Sequence, residues 1–135
     1  METTRYAFKT TTSLFSAEAV QKVTEELKRE GFGALTDIDV QETLKKNLDV
    51  DFREYTILGA CNPPNAYKAL LAETDIGLML PCNVIVYEVE GGETVVAAVD
   101  PVASMCAVQN NRLEATAHAV RNKLQRVIDA MERHS

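Results

Sequence analysis

Leu58-Gly59-Ala60-Cys61-Asn62-Pro63-Pro64-Asn65-Ala66-Tyr67-Lys68, with its echo Leu80-Pro81-Cys82-Asn83-Val84, decides the fold. The run from about Tyr55 reads as a strand that closes on Cys61. Asn62 is placed to cap the helix that follows. Pro63 falls at its first position, where a missing N–H costs nothing. That helix carries Tyr67, Leu70 and Leu71 and fades near Thr74. Cys82 to Val89, with Val84-Ile85-Val86-Tyr87 inside it, is the strongest strand signal in the chain and opens on the second Cys-Asn dipeptide. A helix of about ten residues is ~15 Å long, and about six or seven extended residues span ~20 Å. The chain can therefore run out along the helix and return before Cys82. The two strands are then antiparallel, and Cys61 and Cys82 meet at one edge of the sheet. A parallel crossover would put them at opposite ends.

Upstream, Thr4 to Thr11 alternates as a half-buried strand, with Tyr6 and Phe8 on one face. A helix follows with Ser16 as N-cap and a Val20, Val23, Leu27 stripe, and Gly31 supplies its left-handed stop. Phe32 to Ile38 is a second strand. Asp39 and Glu42 form a capping-box-like pair for a short helix that buries Val40, Leu44 and Leu48. Downstream, Glu90-Gly91-Gly92-Glu93 is a hairpin turn returning through Thr94 to Val99. Asp100-Pro101 opens one or two helical turns through Met105. The final helix begins at Asn111, with Glu114 as its capping partner. Its apolar positions Leu113, Ala117, Val120, Leu124, Val127 and Met131 suit either a helix seam between subunits or a helix lying across a sheet. The order β-α-β-α-β-α-β-β-α, with a hairpin and short helices, predicts an α+β domain. Its five-stranded sheet is mainly antiparallel, with helices mostly on one face.

A chain of 135 residues is one domain with room for a core that needs no disulfides. Fourteen basic against twenty acidic residues give a net charge of -6, and no basic block opposes it, so nucleic acid is excluded as a partner. No apolar run reaches the roughly twenty residues of a membrane span. The N-terminus has no basic segment leading into an apolar one, so no signal peptide is expected. Three cysteines suit a reducing compartment, and the expected location is cytoplasmic.

Chemically, Cys61 stands just outside a helix N-terminus, where the dipole and free N–H groups favour a thiolate. A second thiol within reach permits a transient disulfide, a persulfide relay or soft-metal binding. Neither cysteine belongs to a C-x-x-C motif, and two thiolates are too few for structural zinc. His118 falls on the last helix and His134 near the C-terminus, both remote in sequence. Free cysteine also packs as a small apolar side chain, which is the reading for Cys106 and an open one for Cys82. Asn62 and Asn83 read first as caps at the two junctions. Asp37, Asp39, Asp49 and Asp51 read as solvated caps and loops, and Glu73 and Asp75 as loop charges. Gly31-Phe32-Gly33 is not a phosphate loop, because it lacks the third glycine and precedes a strand.

These blocks carry a family likeness. Glu30-Gly31-Phe32-Gly33-Ala34-Leu35-Thr36-Asp37-Ile38-Asp39-Val40, the two Cys-Asn blocks and Asp100-Pro101 together resemble domain of unknown function family 302 across nearly the whole chain. The resemblance implies a small bacterial or archaeal α+β domain that forms a homodimer. It carries over no catalytic residues, and the association of some relatives with sulfur metabolism adds a slight tilt toward thiol chemistry. The leading functional reading is a homodimeric binding module with a small cleft around Cys61, Asn62, Tyr67, Cys82 and Asn83. Its ligand would be a small anion, a sulfur species or a soft metal. The alternatives are a thiol-dependent redox or sulfur-transfer enzyme, with Cys61 as nucleophile and Cys82 as resolving thiol, and a structural assembly module with both cysteines buried.

Overall fold

A computed structural model describes residues 1–133. It holds a single six-stranded sheet, ordered β1-β2-β6-β5-β4-β3 and antiparallel throughout. The chain runs β1 (Glu2–Thr3), β2 (Ala7–Thr12), α1 (Ser16–Arg29), β3 (Gly33–Asp39), α2 (Val40–Leu48), β4 (Tyr55–Cys61) and α3 (Pro63–Ala72). A 3-10 segment (Thr74–Met79) leads to β5 (Cys82–Glu88), β6 (Thr94–Val99), α4 (Pro101–Met105) and α5 (Glu114–Glu132). The α+β class and antiparallel sheet agree with the sequence reading. The sixth strand is β1, a two-residue piece joined to β2 by a turn in which Thr4 N–H donates to Ala7 O at 2.8 Å.

One face of the sheet carries Phe8, Leu58, Val84, Val86, Val96 and Ala98, all buried. Against it pack Val23 and Leu27 of α1 and Leu124, Ile128 and Met131 of α5. Each such side chain contributes roughly 1.5–3 kcal/mol on burial. From Val120 onward the apolar stripe of α5 packs on this face, so α5 is a helix lying across a sheet, while Leu113 and Ala117 pack with Ala69, Ile76 and Met105.

Local signals explain most boundaries. Gly31, at φ +83°, ends α1 in a Schellman turn: its N–H donates to Lys28 O (3.0 Å), and Phe32 N–H donates to Leu27 O (2.9 Å). Asp39 Oδ1 caps Glu42 N–H at 3.0 Å, as read. Asp100 Oδ1 caps Val102 N–H at 2.9 Å, with Pro101 at the first helical position.

Several local expectations give way to tertiary contacts. Tyr6 does not join Phe8 in the core; it sits in the β1–β2 turn and is exposed. Ser16 is the first residue of α1, and Phe15 holds the N-cap position with no side-chain bond. Helix α2 buries no residue, because its stripe of Val40, Leu44 and Leu48 finds no second layer. Helix α3 turns Asn65 and Ala69 inward and leaves Tyr67, Leu70 and Leu71 exposed. Helix α5 starts at Glu114, after a 3-10 turn that Asn110, not Asn111, caps through Arg112 N–H. Asn110 wins because its amide also donates to Ala72 O (2.9 Å) and Glu73 Oε1 (3.0 Å), tying this turn to the end of α3. Cys106 is exposed rather than packed. His134 lies outside the described residues.

Candidate functional site

Antiparallel pairing of β4 with β5 puts Ala60 opposite Cys82. Opposed Cα atoms lie about 4.5–5.5 Å apart and successive ones about 3.8 Å, which holds the Cα atoms of Cys61 and Cys82 within roughly 9 Å. The predicted meeting of the two cysteines therefore holds. Both line one cavity of about 30 Å³ where β4 ends, α3 begins and β5 starts. Cys61 is half-buried at its edge, whereas Cys82 is 6% exposed. Both cysteines are free thiols. Burial, and secondarily the neighbouring Cys61, pushes the Cys82 thiol up to about 11.

The strand ends are brought together by a glycine. A Cβ on Gly59 would run into Thr36 Oγ1 and stand 2.8 Å from Pro81 Cγ. Its absence lets Pro81 seat against β4 and delivers Cys82 beside Ala60.

Asn62 has a structural post. Its Oδ1 accepts from Asn65 N–H (3.4 Å) and from Asn65 Nδ2 (2.8 Å). Its Nδ2 donates to Glu30 O (3.2 Å) and Gly31 O (3.3 Å) in the Schellman turn of α1. The side chain latches the end of α1 to the start of α3. This arrangement removes the free N–H groups that the sequence reading placed beside Cys61. Pro63 and Pro64 have none, Asn65 N–H is spent on Asn62 Oδ1, and Ala66 N–H donates to Asn62 O at 2.9 Å.

Of the five residues proposed from sequence, the fold gathers Cys61, Asn62 and Cys82 around the cavity. Tyr67 is 66% exposed on α3 and does not line it. Asn83 is exposed on β5, one residue beyond Cys82, so strand alternation turns it to the opposite face of the sheet, and the same alternation turns the Cys61 side chain, one residue beyond Ala60, to that face as well. The walls are mostly apolar, including Phe32, Ala60, Leu80 and Val120. They also include Met105 of α4, which sequence reasoning missed. A signal existed: β6 returns antiparallel to β5, so the helix opened by Asp100-Pro101 starts at the same sheet end as Cys82.

A wider concavity lies elsewhere, an open groove of about 700 Å³ between Gln41, Lys45 and Lys46 of α2 and the loop residues Val50 and Phe52. It holds no thiol or imidazole. Among the described residues, no helix is long and apolar enough to cross a membrane.

Comparison with known proteins supports the likeness read from the motifs. The chain is similar to a structure described as the uncharacterized conserved protein DUF302 from Bacillus stearothermophilus. The two share 28% identity at a TM-score of 0.86, over 93% of this chain and 97% of the other. No curated protein matches. The family model described as "Domain of unknown function DUF302" matches residues 8–131, and the chain belongs to that family.

Proposed function

We propose that this domain is a homodimeric small-ligand-binding module that takes its ligand in the small cavity lined by Cys61 and Cys82 at the ends of β4 and β5. One observation carries the reading: two free cysteines from neighbouring strands, Cys61 and Cys82, are among the residues that line a single cavity of about 30 Å³. Ligand pockets for organic metabolites are roughly 300–1,000 Å³. A space this small selects a ligand of one or two heavy atoms. A small anion loses support, because the nearest helix N-terminus has no free N–H to offer. A sulfur species or a soft metal fits the thiols better. The binding set narrows to Cys61 and Cys82, with Asn62 holding the wall. A second copy of the chain is assigned to the flank of β3 and α2, where Leu35, Ile38, Leu48 and Phe52 are all exposed.

Differential alkylation tests this reading. In the native protein Cys61 should label while Cys82 waits for denaturant. One equivalent per chain of a polysulfide or of a soft monovalent metal should block Cys61. Labelling of Cys61 that is indifferent to both would overturn the binding reading.

An enzyme would show many turnovers per chain. As a resolving thiol Cys82 is disadvantaged: at about 11, only about one thiol in 10⁴ is ionised near neutral pH. The structural reading requires both cysteines to be buried, and half-buried Cys61 does not meet that condition.

A further inference from the structure

We infer that the sheet face left bare of helices is a second interface between copies, on which two pairs of chains joined through β3 stack into a four-chain assembly. This rests on the homodimer reading above and goes beyond it. Strand register names the face. Phe8, Leu58, Val84, Val86 and Val96 point to α1 and α5, so their neighbours along each strand point the other way. Pairing lines up Ile38, Ile57, Ile85 and Ala97 as one row across β3, β4, β5 and β6, closed by Lys9 on β2. A second row sets Tyr55 beside Tyr87, with their rings stacked at 5.4 Å, and Tyr87 beside Val95. Helices α3 and α4 pack against α5, and α2 buries none of its own residues.

An antiparallel sheet with one wet face alternates apolar inward with polar outward. This one does not. The chain has twenty acidic and fourteen basic residues, yet the outward positions of β2 to β6 carry a single charged side chain, Lys9. The acidic residues of β3 are turned to the helix side, since Asp37 stands opposite Leu58 and Asp39 opposite Thr56. Absence of charge at the centre is the mark of an interface core. Exposed Thr11, Thr36 and Asn83 supply a polar rim, and Cys61 stands at its end.

Charge and extent select the occupant. An isologous contact sets a surface against itself, so a chain of charge -6 meets its own copy best where its carboxylates are missing. Five strands of about six residues, at ~4.8 Å between strands and ~3.3 Å per residue, give a footprint of roughly 500 Å². A stable interface needs about 800 Å² per partner, so one bare face falls short. Antiparallel pairing of β3 with its own copy has its two-fold axis perpendicular to the sheet. Both bare faces then lie on the same side and join at Ile38, which doubles the footprint to roughly 1,000 Å². Two such double sheets pack face to face about 10 Å apart. Each pair carries twice the charge of one chain, so repulsion opposes stacking in low salt and screening favours it.

Sedimentation velocity of the full chain across salt and protein concentration tests this. Dilute wild type in low salt should run at twice 14.9 kDa, climb to four times that mass as salt rises, and stop there. Ile85→Lys, at the centre of the row, should stay at twice 14.9 kDa in any salt with an unchanged circular dichroism spectrum. Ile85→Thr keeps the β-branch and should raise the concentration of half-assembly roughly tenfold or more, as loss of a central interface contact does. Leu71→Lys, on α3 and so on the helix side, should assemble like wild type. A wild type that never exceeds two chains, growth beyond four, or four chains from Ile85→Lys would overturn the inference. The first of these leaves the homodimer standing, whereas a single-chain mass throughout ends both. If Ile85→Lys gives single chains, the bare face is itself the dimer contact and the four-chain assembly falls.

Discussion

Cys82 is the residue whose chemistry the fold changes most. Its thiol is pushed up to about 11 by burial, against an ordinary value of 9.0. Between those values the unfolded chain loses a proton that the folded chain keeps, so stability is full below pH 9 and falls as pH rises toward 11. The loss attributable to this one group is about 2–3 kcal/mol. Urea unfolding in the presence of a chelator should show wild type weakening more steeply over this range than Cys82→Ala. Equal slopes would mean that the thiol is not held neutral. The nearness of Cys61 and Cys82 was legible in the sequence, because it follows from chain direction and the lengths of two segments. The burial of Cys82 was not, since a cysteine at a strand start reads equally as wall or as mouth. Met105 went unread because the same directional argument was not carried around the Gly91-Gly92 hairpin, where both glycines adopt positive φ and return β6 to the same end.

Elements are joined here by side chains that serve two of them at once. Asn62 caps α3 and also donates to the carbonyls that close α1. Asn62→Asp keeps the cap and removes both donated bonds, setting a carboxylate against two carbonyl oxygens. The expected cost is about 1–3 kcal/mol, read by denaturant unfolding. Faster hydrogen exchange at Gly31 and Phe32 should accompany it. A variant as stable as wild type would show that the latch carries no weight. The caps at Asp39, Asn62 and Asp100 were visible because each depends on residues within three positions. The start of α5 was misplaced by one asparagine, since a bond from Asn110 to Ala72, thirty-eight residues away, makes the choice. Likewise, the stripes of α2 and α3 announced an apolar face without naming what would cover it.

At the scale of the whole molecule the two edges of the sheet differ. Strand β1 is too short to be read from alternation, and as a two-residue edge it offers little to pair with. Strand β3 at the other edge is seven residues long and exposed along its whole length, with Leu35 65% accessible. An edge of that kind is a template for another strand. An isologous contact through it would unite two copies about a two-fold axis. Light scattering should therefore report twice 14.9 kDa for wild type. Leu35→Glu combined with Ile38→Glu should return the single-chain mass without loss of helical signal. A monomeric wild type would remove the dimer from the proposed function. Class, strand direction and the helix-covered face were all legible, because the aliphatic runs and the hairpin specify them. The exposed flank was not, because an apolar stripe looks the same whether its partner is its own chain or another.

The latch at Asn62 also has a bearing on time. Cys82 is 6% exposed, so a reagent reaches it only when the structure around it opens. The amide of Asn62 ties the start of α3 to the α1 turn, so Asn62→Asp should speed the labelling of Cys82 in the native protein. The rate at which Cys82 becomes accessible in the native protein is therefore the rate of a local opening rather than of diffusion.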